Sequence, residues 1–184
     1  MTRIIAGDAR GIRLAVPARG TRPTSDRVRE SLFAGMESAG ALDDARVLDL
    51  YAGSGALGLE ALSRGAASVD LVELSRPAAA IARENIGRVE RSLGRTGLGR
   101  VHTIAADAYL RGPVGPFDLV FLDPPYELGE SELTATLSLL APHLAEDGLV
   151  VVERSRHSPE PGWPAGLALA RERTYGDTVI WQAH

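Results

Sequence analysis

The apolar run 117–122 leads into Asp123-Pro124-Pro125-Tyr126. A short continuous apolar run reads as a buried parallel strand, so Asp123 stands at the carboxyl edge of a sheet, where open α/β folds bind ligands. The two prolines cannot extend a strand ladder, and they hold the loop stiff. Tyr126 adds a flat amphipathic ring beside the carboxylate. An acceptor, a rigid turn and a stacking ring together suit a planar molecule that carries an NH2 group.

A second constellation lies upstream. Asp49-Leu50-Tyr51-Ala52 precedes Gly53, Gly55 and Gly58, which match G-x-G-x-x-G. Glycines at this spacing, between a strand and a helix, let the chain turn sharply and let a ligand approach the backbone. Glu73 follows Gly53 by 20 residues, at the end of the next apolar run. There its carboxylate can take both hydroxyls of a ribose, so a nicotinamide dinucleotide enzyme is a rival reading. Asp49 argues against that rival, because it would repel a pyrophosphate and attract an ammonium. Asp107 is expected to end the third strand, where it could meet an adenine amino group. With acids expected at four successive strand ends, a nucleoside bearing a cationic amino-acid tail fits better than a diphosphate. S-adenosylmethionine is such a ligand.

The elements that must position these groups alternate along the chain. Residues 3–7 and 12–17 read as a β-hairpin around a polar, Gly-bearing link, taken as an Arg-edged extension (1–20) outside the core of a second unit (21–184). Thr24 or Ser25 caps a helix over 26–39. Strands follow at 46–50, 68–73, 101–105, 117–122 and 148–153, with helices at 56–64, 77–92 and 130–144 between them. Two further strands, 166–173 and 177–183, close the chain. Alternation of this kind specifies a doubly wound, Rossmann-like α/β sheet, mostly parallel with an antiparallel C-terminal strand.

Composition bounds the function. The chain of 184 residues is 45% hydrophobic and 24% charged, ordinary for one globular unit. No apolar run is long enough to span a bilayer and the start lacks a signal-peptide pattern, so a cytoplasmic protein is expected. The chain contains no cysteine, which excludes disulfides, thiolate metal sites and thiolate nucleophiles. No metal-binding His pattern appears. All 20 basic residues are Arg, and residues 1–33 hold seven of them against three acids, although the net charge is -4. Arg10, Arg13, Arg19 and Arg22 in this segment are candidates to grip phosphates bidentately.

These motifs, with Arg22-Pro23-Thr24-Ser25-Asp26-Arg27 running on to Phe33, the opening Arg3-Ile4-Ile5-Ala6-Gly7 and the tail Tyr175-Gly176-Asp177-Thr178, resemble the RsmD family. Its members are class I S-adenosylmethionine-dependent methyltransferases acting on guanine N2 of 16S ribosomal RNA in the small subunit. The resemblance covers essentially the whole chain. It implies that Asp49 and the Gly53 to Gly58 loop, with Tyr51 where members often carry Phe, hold the methionine part of the cofactor. Glu73 would take the ribose, Asp107 the adenine, and the Thr24 to Arg27 region would cover the cofactor's carboxylate side. Asp123, Pro124 and Tyr126 would hold the target base. It further implies a monomer without membrane or metal requirement. A DNA amino-methyltransferase of the same fold, acting on adenine N6 or cytosine N4, is the alternative.

Overall fold

The computed structural model describes residues 2–17 and 26–184. Strands β1 (Thr2–Arg3) and β2 (Arg13–Leu14) form a short antiparallel hairpin. Helix α1 (Asp26–Ser38) follows. Next come β3 (Arg46–Leu50), α2 (Ala56–Ser63), β4 (Ser68–Val72) and α3 (Arg76–Leu93). The second half holds β5 (Gly99–His102), α4 (Ala106–Leu110), β6 (Phe117–Leu122), α5 (Glu130–Leu140) and β7 (Leu144–Ser155). Strands β8 (Leu169–Tyr175) and β9 (Thr178–Ala183) end the chain.

The main sheet has seven strands in the order β5-β4-β3-β6-β7-β9-β8. Strands β3 to β7 pair in parallel, and β9 inserts antiparallel between β7 and the edge strand β8. The sheet order reverses direction between β3 and β6, which brings the end of β3 and the end of β6 side by side, where open sheets place their ligands. One core fills the face covered by the hairpin, α1, α2 and α3, with Phe33, Leu59, Phe121 and Ile180 among its residues. A second core, including Leu48, Leu122, Leu137 and Val152, lies under α4 and α5 on the other face. No helix among the described residues is long and apolar enough to cross a membrane.

The sequence expectations for β3 and β6 match to the residue, and three others need correction. The hairpin is not outside the core: Ile4, Ala9 and Leu14 are fully buried with the α1 and α2 side chains. Its backbone is tied to α2, with Ile5 and Ala6 N–H groups donating to the two Glu60 carboxylate oxygens at 2.8 and 3.0 Å. The Ala9 N–H donates to Ser63 Oγ at 3.0 Å. A Cβ on Gly7 would lie 1.9 Å from the Ser63 carbonyl oxygen, so only glycine allows this approach.

β5 lies at Gly99–His102, earlier than 101–105, because Glu90 Oε1 accepts from the Leu98 and Gly99 N–H groups and starts the strand there. Asp107 therefore ends no strand and sits in the first turn of α4. That helix is too short to show a periodicity, yet its Ala-rich sequence favours it. Helix α5 stops at Leu140 because Pro142 removes a backbone donor, and Leu144 already belongs to β7.

Candidate active site

Asp49, the fourth residue of β3, is 1% exposed and faces α2. Its Oδ2 accepts from the Gly58 N–H at 3.0 Å. The approach is close because Gly58 has no side chain: a Cβ there would lie 2.6 Å from Val69 Cγ2 and 2.7 Å from Leu71 Cδ2. Burial pushes the Asp49 carboxyl up to about 7, against the pull of the Gly58 amide and with a further push from the Glu73 charge.

The glycine loop then turns over this carboxylate. Tyr51 adopts a left-handed φ of 62°, uncommon for a bulky residue, and Gly53 and Gly55 follow at 55° and 79°. A Cβ on Gly53 would meet no atom of another residue within 4 Å, so the loop's backbone is open on that side. Glu73, one residue past β4, accepts from the Gly53 N–H at 2.8 Å and from the Ser75 N–H at 2.7 Å. Each carboxylate oxygen accepts one of these bonds and keeps capacity for another. Glu73 thus fixes the loop and still offers acceptors beside it.

Asp107 is held from the opposite layer. Thr136 Oγ1 on α5 donates to Asp107 Oδ1 at 2.8 Å, and the Tyr51 hydroxyl lies 3.3 Å from the same Thr136 oxygen. The three residues form one chain from the glycine loop to α4.

Asp123 follows β6 directly, two residues beyond the level of Asp49, since Asp49 pairs with Phe121. Burial raises its carboxyl well above the ordinary value, with the Glu153 and Asp49 charges adding to the rise and Arg154 opposing it. Pro124 is buried, whereas the Tyr126 side of the loop is open, with Tyr126 73% exposed. Arg154, at the end of β7 and 9% exposed, pins the loop from behind. It donates to the Leu128 carbonyl and to Glu130 Oε1, both at 2.8 Å, and to the Pro125 carbonyl at 3.5 Å. The Pro125 carbonyl also accepts from the Leu128 N–H at 3.0 Å. Among the described residues no donor reaches the Pro124 carbonyl, which is left as a second acceptor next to Asp123.

The structure therefore brings Asp49, the Gly53 to Gly58 loop, Glu73, Asp123, Pro124 and Tyr126 to one edge of the sheet, with Asp107 at the start of α4 beside Thr136. Arg27 lies exposed in the first turn of α1. Arg10 and Arg13 lie exposed on the hairpin. Thr24, Arg19 and Arg22 fall outside the described residues.

Three supporting residues escaped the sequence reading. Thr136 and Asn85 are polar residues inside the apolar stripes of α5 and α3, 2% and 0% exposed, and that interruption was their signal. Asn85 Nδ2 donates to the Ser54 and Ala15 carbonyls, both at 2.9 Å, joining the glycine loop to the hairpin's exit. Arg154 left no signal, because a basic residue at a strand end is ordinary.

One buried carboxylate, Asp49, and the half-buried Glu73 and Asp107 around an open glycine turn attract a cationic ligand bearing hydroxyls. Beside it, two acceptors and an exposed ring suit an aromatic amine. A sequence model of the family described as "Conserved hypothetical protein 95" matches residues 2–183. The ribosomal RNA small subunit methyltransferase D of Escherichia coli K12 is 41% identical over 178 residues, covering 96% of this chain and 86% of that protein. A solved structure of a hypothetical protein from Thermus thermophilus superposes with a TM-score of 0.83 at 31% identity, covering 99% of this chain and 98% of that one. The magnesium protoporphyrin IX methyltransferase of Synechocystis PCC 6803, solved with bound SAM, shares the fold. Its TM-score is 0.66 at 19% identity, covering 85% of this chain and 77% of that one.

Proposed function

The chain belongs to the RsmD family of methyltransferases, and from that premise we propose that it transfers a methyl group from S-adenosylmethionine to the exocyclic N2 amino group of a guanine in 16S rRNA of the small ribosomal subunit. The single observation that carries the reading is the placement of Asp123 and the free Pro124 carbonyl beside the buried Asp49, which lacks a cationic partner among its hydrogen bonds.

The donor set fits this cofactor. Asp49 is buried without a cationic partner among its hydrogen bonds, and a ligand ammonium or sulfonium would favour its ionised form. Glu73 has acceptors to spare for two ribose hydroxyls, and Asp107, steadied by Thr136, has a second oxygen for an adenine amine. The open side of Gly53 leaves room for the ligand against the backbone. Arg27 and Thr24 are assigned to the cofactor's carboxylate side. When bound, S-adenosylmethionine supplies an electrophilic methyl on a positively charged sulfur.

The remaining work falls to the loop after β6. An exocyclic amine is a weak nucleophile because its lone pair is conjugated into the ring. Asp123 and the Pro124 carbonyl each accept one N–H, which favours a pyramidal nitrogen and frees the lone pair. Tyr126 stacks on the base, which must leave its helix or loop to arrive. Arg154 holds the loop in register, so that reactant placement supplies most of the rate. The burial that raises Asp123, with the Glu153 and Asp49 charges adding to it, makes it the better acceptor for the proton that the amine gives up. A carbon-5 pyrimidine target is unsuited to a chain with no cysteine, because that chemistry uses a thiolate adduct. Arg10 and Arg13 of the hairpin contact RNA phosphates.

Asp123→Ala tests the assignment. Transfer should fall by about 10²-fold or more, while cofactor affinity stays within a few-fold. A variant that keeps more than about a tenth of wild-type transfer would remove Asp123 from this role.

A further inference from the structure

The edge strand β8 carries a feature that the reaction site does not use. Its residues alternate, and Arg171, Arg173 and Tyr175 all point to the face covered by α1. With Ser31 and Gly35 of α1 they line a narrow groove. The Ser31 and Tyr175 hydroxyls are 3.2 Å apart. Glu172 lies between the two arginines in sequence and faces the other way.

These guanidinium groups differ from the structural arginines of the chain. Arg29, Arg46, Arg64, Arg88 and Arg154 each bond a carboxylate. Arg171 and Arg173 make no ion pair among the described residues, and both are exposed. Burial works against ionisation of Tyr175, yet its hydrogen bonds to Ser31 and Arg173 and the two guanidinium charges pull its hydroxyl below the ordinary value. The groove is therefore a locally positive place on a chain of net charge -4.

Its direction matters. β8 runs parallel to β7, because each pairs antiparallel with β9. Arg173 pairs with Ile180, which pairs with Glu153, the residue level with Asp123. The strip so meets the reaction edge of the sheet, with Arg173 three strand spacings, or roughly 14 Å, from Asp123. Arg27, one turn before Ser31 on α1, extends the positive stripe at that end. At the other end, below Arg171, the surface turns acidic with Asp43, Asp44, Asp118 and Asp147, which would repel a polyanion.

We propose that Arg171 and Arg173, with the Tyr175 and Ser31 hydroxyls, form a second contact strip that grips backbone phosphates of the RNA whose target base enters beside Asp123. This inference rests on the RNA substrate assigned above and adds a binding surface to it. Guanidinium forks match phosphate oxygens, and the hydroxyls add neutral donors. The strip lies across the sheet from the hairpin's exit, where Asn85 ties Ala15 to Ser54 of the glycine loop.

The test compares wild type with Arg171→Gln/Arg173→Gln, using a transcript of small-subunit rRNA as the probe. Equilibrium binding is measured over a salt series, with methyl transfer and S-adenosylhomocysteine affinity measured on the same samples. The strip requires a Kd at least about fivefold weaker in the variant. It also requires a log Kd against log salt slope shallower by roughly 1.5, as expected for two lost phosphate contacts. Cofactor affinity should not change, and transfer should suffer in KM with kcat within about twofold. Equal Kd and slope in the two proteins would overturn the strip. Binding by wild type with no transfer to the transcript or to unmodified small ribosomal subunits would sink the guanine-N2 reading and leave the slope comparison decisive for the strip. No binding by wild type to either would overturn both.

Discussion

Two carboxyls at the reaction edge, Asp49 and Asp123, hold their protons more tightly than usual because of burial, with the Glu73 charge adding to the rise at Asp49 and the Glu153 and Asp49 charges at Asp123. Such groups cost folding energy when ionised alone, so their retention at one edge points to a ligand that offsets them. The sign of the pH dependence follows. Asp49 titrates near 7 in the folded chain and near 3.8 otherwise, so the folded chain holds the proton more tightly. Its contribution to stability is full below the lower value and is lost as pH rises through about 7. A cationic cofactor binds the ionised form, so binding should expel a proton. S-adenosylmethionine affinity, measured by calorimetry in buffers of different ionisation enthalpy, should rise between pH 5.5 and 8 and level off above. Asp49→Asn should bind more weakly and show no such rise. Equal wild-type affinity at both ends of the range would contradict the role given to Asp49.

The glycine loop shows how an element serves the site through two different constraints. Gly53 has a positive φ and an open side, whereas Gly58 is wedged against Val69 and Leu71. Gly53→Ala should cost about 1 kcal/mol in strain and disturb ligand approach most. Cofactor affinity should then fall while the melting temperature changes by only a few degrees. Gly58→Ala gains helix propensity of about 1 kcal/mol but overpacks α2 against β4 by about 1–3 kcal/mol. Its melting temperature should drop as α2 lifts from Asp49. Thermal melts with and without cofactor separate the two, and a reversed pattern would refute these assignments.

The same elements show what the sequence made legible. β3 and β6 are apolar runs bounded by turn residues, and their limits could be read from periodicity alone. Helix α4 could not, because five residues carry no period, and Asp107 was misplaced with it. The hairpin looked like an appendage because its strands are short and its edge is basic. Its anchors, Glu60 and Ser63, lie more than 50 residues away and form no local pattern. Arg154 was invisible for the same reason: its contacts with Pro125, Leu128 and Glu130 are purely tertiary.

At the scale of the whole molecule, net charge and charge placement pull apart. A chain of -4 would repel RNA if its charge were uniform, yet the exposed Arg171 and Arg173 of β8 run towards the reaction edge. Acidic side chains gather at the sheet's opposite end, near Asp44 and Asp147. Such a polarity would orient a polyanion toward Asp123 without making the whole surface sticky. The measurement that decides is transfer of labelled methyl from S-adenosylmethionine to unmodified small ribosomal subunits, naked 16S rRNA and duplex DNA, followed by nucleoside analysis. The account predicts label in rRNA alone, recovered as N2-methylguanosine and absent with Asp123→Ala. Label recovered only from DNA, as N6-methyladenine or N4-methylcytosine, would contradict it.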